Sequence, residues 1–211
     1  MSPAACADPI RLLVLGDSYA VGEGVTRAQS WPEQWAARWR AEGLAVAPVE
    51  IIAATGWSAA ELHAAVRQQA PLGPFDRVLL GVGVNDQYRG LDPRAYGQQF
   101  SRLLDSACAL AGQRRRCVQV LSIPDWSVTP FGGRDPRGRR AIAAAIDRFN
   151  RIARRCCRRR GIRFIDISSL YRARGAEAEM LAGDGLHPSA AMYALWVATI
   201  ATFEAPPIAP R

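Results

Sequence analysis

Two histidines in 211 residues leave little choice for chemistry that must move a proton near neutral pH. His187 stands in Gly183-Asp184-Gly185-Leu186-His187-Pro188, a glycine-rich stretch with a carboxylate three residues before the imidazole. His63 lies inside Ala59–Gln69, whose pattern is helical, and reads as an ordinary surface or half-buried side chain. An imidazole acting as a base needs one ring nitrogen facing a proton donor and the other tied to an acceptor that fixes its tautomer. Asp184 supplies such an acceptor; the competing reading is that Asp184 or His187 only caps the helix beginning near Pro188. The matching proton donor is Ser18, in Leu15-Gly16-Asp17-Ser18-Tyr19, just past a short apolar run. A serine in such a turn is weak evidence by itself. It gains weight only if a base and an anion site follow.

The anion site comes from two further segments. Nucleophilic attack on a carbonyl builds negative charge on its oxygen, and fixed donors aimed at that oxygen lower the barrier. Asn85, in Gly81-Val82-Gly83-Val84-Asn85-Asp86, offers a neutral amide that donates without pairing ionically to a carboxylate. Gly56, in Ala54-Thr55-Gly56-Trp57-Ser58, offers a backbone N–H with no side chain in the way. Each is also an ordinary turn residue, and Asp17 and Asp86 fit the role of loop-holding hydrogen-bond acceptors. Three successive apolar runs ending in Ser, Gly and Asn are harder to dismiss.

These residues need a scaffold that brings run ends together. Ile10–Leu15, Val46–Ile52, Arg77–Val82, Cys117–Ile123 and Ile162–Ile165 are rich in Val, Ile and Leu without polar alternation, as strands buried on both faces are. Amphipathic stretches at Pro32–Glu42, Ala59–Gln69, Pro93–Ala111, Arg137–Arg160 and Ser189–Phe203 alternate with them. The alternation predicts an α/β fold with a five-stranded parallel sheet between helices, in one domain over residues 1–211 with short loose tails near 1–9 and 205–211. Ligands sit outside the carboxyl ends of strands in such sheets. The loops Pro124–Arg137, expected to hold no regular element, and Gly183–Pro188 should both lie there. Trp57, Trp126, Val128 and Phe131 are candidates to line a substrate pocket, whereas Trp31, Trp35 and Trp39 recur every four residues and read as the buried side of a helix.

Taken in order, the four segments from Gly16 to Pro188 resemble the sequence blocks of the SGNH, or GDSL, serine hydrolases. The resemblance implies a flavodoxin-like three-layer α/β/α sandwich with no metal or organic cofactor. It implies Ser18 as nucleophile, Asp184 and His187 as the rest of a triad, and Gly56 and Asn85 joining the Ser18 N–H as oxyanion donors. The G-D-S, G-x-N-D and D-G-x-H-P segments match closely. The second block is poorer: relatives often carry Asn two residues before the oxyanion Gly and Gly three residues after it, where this chain has Ala54 and Ala59. The expected reaction is two-step acyl transfer on small esters or on acyl-chain esters and thioesters. The alternative is removal of O-acetyl groups from a sugar or peptidoglycan-like substrate.

Composition bounds the remaining readings. All 27 basic residues are Arg and the net charge is +8, so a nucleic-acid-associated protein or an inactive binding module has to be weighed. Between Arg139 and Arg160, however, Ile142, Ile146, Phe149, Ile152, Ala153 and Cys156 recur at helical spacing and the arginines fill the other faces. That is a solvated helix face, and no nucleic-acid partner is expected. The five cysteines contain no C-x-x-C pair and read as reduced thiols. No apolar run is long enough to span a membrane, and the first nine residues do not read as a signal peptide, which sets a cytoplasmic expectation.

Overall fold

The computed structural model describes residues 8–70 and 73–203. The expectations on Cys6, on the start of the N-terminal tail and on Ala205–Arg211 lie outside those residues. The described chain runs β1 (Leu12–Gly16), α1 (Ser18–Val21), α2 (Trp31–Ala41), β2 (Glu50–Ala53), α3 (Ala59–Gln69), β3 (Arg77–Gly81), α4 (Val84–Tyr88) and α5 (Pro93–Leu110). It continues through β4 (Val118–Leu121), α6 (Pro130–Gly133), α7 (Arg139–Arg160), β5 (Arg163–Ile165), α8 (Ser168–Arg174) and α9 (Ala190–Ala201).

All strand pairs are parallel, and the order across the sheet is β2-β1-β3-β4-β5. This is the flavodoxin-like order, and its layers follow from handedness. The crossover from β1 to β2 steps one way across the sheet, while every later crossover steps the other way. Right-handed connections therefore put α2 on one face and α3, α5 and α7 on the other. The packing agrees: α5 lies against both α3 and α7, and α2 lies against α9. The expected three-layer sandwich is what forms.

Local chemistry explains the helix starts. Ser58 and Glu61 make a reciprocal capping box at α3, and Asp92 accepts from the N–H groups of Arg94 and Ala95 with Pro93 in the first turn of α5. Trp31, Trp35 and Trp39 form the expected buried stripe of α2, all at most 1% exposed. On α7, Ile142, Ile146 and Phe149 are buried while Arg148, Arg151, Arg155, Arg158 and Arg159 are exposed. Among the described residues Cys108, Cys117, Cys156 and Cys157 are free and buried. No helix of the described residues is long and apolar enough to cross a membrane.

Two departures from expectation have simple causes. Pro124–Arg137 is not free of regular structure, for it holds a 3-10 turn at Trp126–Val128 and the single turn α6. Asp125 and Thr129 cap these two turns by accepting from Ser127 N–H and Gly132 N–H, and Pro130 opens α6. Helices α4 and α8 also went unread, since five and seven residues are too few to display a helical period.

The far end of β4 is tied down by a side chain. Buried Asn150 of α7 accepts from Ile123 N–H at 2.8 Å and donates to Ile123 C=O at 2.9 Å. It thereby replaces a ladder partner at the point where the chain leaves for the 124–137 segment. Asn150→Ala orphans both groups, at about 1–3 kcal/mol for a buried unsatisfied group. The urea midpoint should fall by that equivalent with the slope unchanged. An unmoved midpoint would show that water replaces the amide without cost.

Candidate active site

The strand register puts the three loops side by side. Gly16 at the end of β1 pairs with Ala53 of β2 on one side and Gly81 of β3 on the other. Ser18, Gly56 and Asn85 follow these three residues by two, three and four positions.

Ser18 is the first residue of α1, and Asp17 caps that turn by accepting from Tyr19 N–H at 3.1 Å. The Ser18 N–H is thus one of the first-turn donors that a helix cannot satisfy itself. Two side chains from the far layer hold the turn in place. Trp31 Nε1 of α2 and the Tyr193 hydroxyl of α9 both donate to Tyr19 C=O, each at 3.1 Å.

Across the cleft, the 183–188 loop is closed at its neck by Ala182 N–H donating to His187 C=O at 2.8 Å. Asp184 Oδ1 accepts from Leu186 N–H at 2.9 Å and His187 N–H at 3.0 Å, which folds the loop around the carboxylate. Its other oxygen lies 2.5 Å from His187 Nδ1, and His187 Nε2 lies 3.0 Å from Ser18 Oγ. Burial opposes ionisation of Asp184, but the hydrogen bonds from the His187 ring and the two N–H groups outweigh it and hold the carboxyl below its usual range. With the carboxylate at Nδ1, that nitrogen carries the proton and Nε2 is left to accept from Ser18. The rival role of helix cap belongs instead to Ser189, whose hydroxyl accepts from Met192 N–H. Tyr19 backs the imidazole with ring centroids 5.3 Å apart.

The anion-side residues also converge. Trp57 N–H donates to Ala54 C=O, and Gly56 at the third turn position has φ +86°, the backbone of a type II turn that favours glycine there. Asn85 Nδ2 donates to Trp57 C=O at 3.0 Å, and the amide's second hydrogen remains for another acceptor. Ser18, Gly56, Asn85 and His187 all line one cavity of about 180 Å³, whose other walls include Val84, Tyr88, Trp126, Phe131 and Leu186.

Of the four residues read as pocket-lining, Trp126 and Phe131 are on that wall. Trp57 and Val128 are elsewhere. The Trp57 side chain packs half-buried against the core, and Val128 closes on Gly175 at the end of α8. A position after a strand end does not determine which way its side chain turns. His63 lies on α3 and is not among the residues lining that cavity, and burial together with Arg67 and Arg102 lowers its pKa. Tyr88, Leu186 and Arg89 escaped the sequence reading. Position along the chain was the only hint: Leu186 stands between Asp184 and His187, and Tyr88 and Arg89 follow closely on the G-x-N-D block. No group of three or more His, Cys, Asp or Glu side chains suited to a metal ion occurs among the described residues.

A parallel α/β sandwich with a Ser-His-Asp relay at the carboxyl edge of its sheet defines a class, the α/β serine hydrolases. Within that class, the GDSL-like Lipase/Acylhydrolase family profile matches residues 14–195. The chain belongs to that family of SGNH/GDSL carboxylic ester hydrolases. No curated protein matches it in sequence. Among solved structures, TesA superposes with a TM-score of 0.71 at 22% identity, covering 94% of this chain and 99% of TesA. A lipase/acylhydrolase from Enterococcus faecalis gives 0.69 at 19%, covering 92% and 94%. The psychrotrophic esterase EstA from Pseudoalteromonas sp. gives 0.67 at 16%, covering 91% and 94%. At these identities the likeness is one of fold.

Beneath the site lies a carboxyl group of unusual acidity. Burial pushes Asp17 up to about 7, against the pull of the Tyr19 N–H and with help from the nearby charge of Asp86. The folded carboxyl therefore keeps its proton in a range where the unfolded one, near 3.8, has lost it. Its contribution to stability is full in acid and is lost as the pH rises from the unfolded value through the folded one. Asp17→Asn keeps a capping side chain and removes the titration. Its thermal midpoint, measured relative to the parent, should gain between about pH 4 and about pH 7 and level off above that. A difference that stays constant over that range would mean Asp17 is ionised throughout.

Proposed function

We propose that this chain hydrolyses esters of short to medium acyl groups through an acyl-enzyme on Ser18, with His187 as general base and Asp184 as its orienting partner. The observation that carries the reading is the continuous relay from Asp184 Oδ2 through His187 to Ser18 Oγ, opening on an apolar cavity. The contiguous core of the described residues supports treating the chain as one domain.

Ser18 Oγ bonds to the substrate carbonyl carbon while its proton passes to His187 Nε2, and the carbonyl π electrons move onto oxygen. The oxyanion is held by the N–H groups of Ser18 and Gly56 and by the Asn85 amide. Collapse breaks the bond to the leaving alcohol or thiol, which takes the proton from Nε2. Water then repeats the sequence on the acyl-enzyme and releases the acid. The imidazolium formed in each half is stabilised by the Asp184 carboxylate.

The cavity supports an acyl occupant over a sugar ring. Val84, Tyr88, Trp126, Phe131 and Leu186 offer apolar surface, and a sugar would leave its hydroxyls without partners there. At about 180 Å³ the space is smaller than the pockets that enclose drug-sized ligands, which favours short chains.

EstA was solved inhibited by monoethylphosphonate, and the same chemistry serves as a probe here. A fluorophosphonate should label Ser18, and Ser18→Ala should lose both labelling and ester turnover at an unchanged thermal midpoint. Turnover retained by Ser18→Ala would remove Ser18 from the mechanism. Asn85→Ala should lower kcat by on the order of 10²–10³ with little change in KM. An effect confined to KM would make Asn85 a substrate-binding residue only.

Chain length is best tested at Phe131, which is half-buried on the wall. Trp126 is fully buried and donates to Gln87 Oε1 at 2.9 Å, so its truncation would also cost stability. Phe131→Ala should shift relative kcat/KM among acetyl, butyryl and octanoyl esters toward the longer chains by about 10-fold or more. Parallel changes on all three esters would place the acyl group elsewhere.

A further inference from the structure

The Gly56 turn has no sheet to hold it. β2 ends at Ala53, and a glycine at φ +86° has no side chain with which to pack. Yet an oxyanion donor has to sit within a few tenths of an ångström of its working position. Whatever anchors this turn therefore matters to the reaction.

Thr55 Oγ1 on one side donates to Glu23 Oε2, and the other anchors come from α4 and its C-cap residue Arg89. Asn85 Nδ2 donates to Trp57 C=O at 3.0 Å, and Asp86 Oδ2 accepts from Ala59 N–H at 2.9 Å. These two bonds lie on the far side of the glycine. The third bond reaches Gly56 itself, where Arg89 Nη2 donates to the Gly56 C=O. The guanidinium is fixed at a second point, since Arg89 Nη1 lies 3.2 Å from Glu61 Oε2. That same oxygen accepts from Ser58 N–H and Ser58 Oγ, each at 2.7 Å, at the start of α3. Finally, the Arg89 N–H closes α4 on the carbonyl of Asn85 at 3.0 Å. Arg89 is thus bonded through its backbone to one oxyanion donor residue and through its side chain to the other.

We propose that Arg89 is a positioning residue that sets the Gly56 N–H against the Ser18 and Asn85 donors by gripping the Gly56 carbonyl. The inference rests on the acyl-transfer reading above, in which Gly56 is an oxyanion donor. The role calls for arginine. A planar fork spans two acceptors in fixed directions, whereas an ammonium is a point charge that reaches one. It is not a stability device. The Arg89 side chain is 43% exposed and its Glu61 partner 47%, and exposed ion pairs contribute little to folding.

The test compares Arg89→Met, Arg89→Lys and Arg89→Ala with the parent on one p-nitrophenyl ester. Arg89→Met should lower kcat by about 10- to 100-fold with KM within about 2-fold and the thermal midpoint unmoved, as for a displaced transition-state donor. Arg89→Lys should stay impaired, and guanidinium added to Arg89→Ala below denaturing concentrations should restore part of kcat. Glu61→Gln, which loosens the second anchor, should lower kcat in the same direction by less. An unchanged kcat in Arg89→Met would overturn the proposal. So would full recovery with lysine, which would make the effect one of charge alone. A kcat loss that tracks a falling midpoint and resists guanidinium would also overturn it. Failure of the underlying reading looks different, because the parent enzyme would then not be labelled at Ser18 by a fluorophosphonate.

Discussion

The placement of Ser18, Gly56 and Asn85 beside one another depends on the register of three parallel strands. Gly16 of β1 sits between Ala53 and Gly81, so β2, β1 and β3 all end in one row at the carboxyl edge. The loops leaving that row have only two to four residues in which to diverge, and each delivers one polar group to a common point. A slip of a single residue in one strand would turn its side chains to the opposite face and move its loop by about 3.3 Å. No hydroxyl–imidazole bond of 3.0 Å would survive such a shift. Apolar burial on both faces is what forbids it, since Leu12 to Leu15 and Val78 to Leu80 are fully enclosed.

The fourth participant arrives differently. His187 comes from a loop near the end of the chain, and its position is set by a local device rather than by the sheet. Asp184 uses one oxygen to fold the loop and the other to orient the ring, so a single carboxylate determines both where the imidazole is and which nitrogen faces Ser18. The aromatic packing of Tyr19 against Tyr171 and Trp196 gives the ring a firm backing. Rigidity on the Ser18 side and on the His187 side thus has separate origins that meet at Tyr19.

This division explains what could be read from the chain and what could not. Ser18, Asn85 and Gly56 were legible because unalternating apolar runs announce buried parallel strands, and their ends must share an edge. His187 was legible because the only other histidine lies in a helical pattern. Arg89 was not. It is one cation among 27, and its meaning depends on a bond to a backbone carbonyl that no composition or period encodes. Tyr88 reaches the cavity only because α4 is a helix, and α4 is five residues long. Trp57 and Val128 looked equivalent to Trp126 and Phe131 in sequence. Which of them face the cavity follows from the hydrogen-bonded turn at 54–57 for Trp57 and from the two capped turns after Asp125 for the other three, rather than from hydrophobic pattern.

The buried carboxyls add a consequence of their own. Asp17 and Asp86 both lie directly next to the residues that would hold an oxyanion, and two unscreened negative charges there would oppose the charge building in the reaction. The fold answers this in two ways. Burial holds the proton on Asp17 up to about pH 7, so that charge is partly absent at neutral pH. Burial also raises the pKa of Asp86, which accepts from Ala59 N–H and lies near the Arg89 guanidinium. The enclosure that keeps the strands in register therefore also lessens the negative charge beneath the candidate anion site. A polar substitution that let water into this layer would ionise Asp17 and weaken the site without touching any residue of the relay.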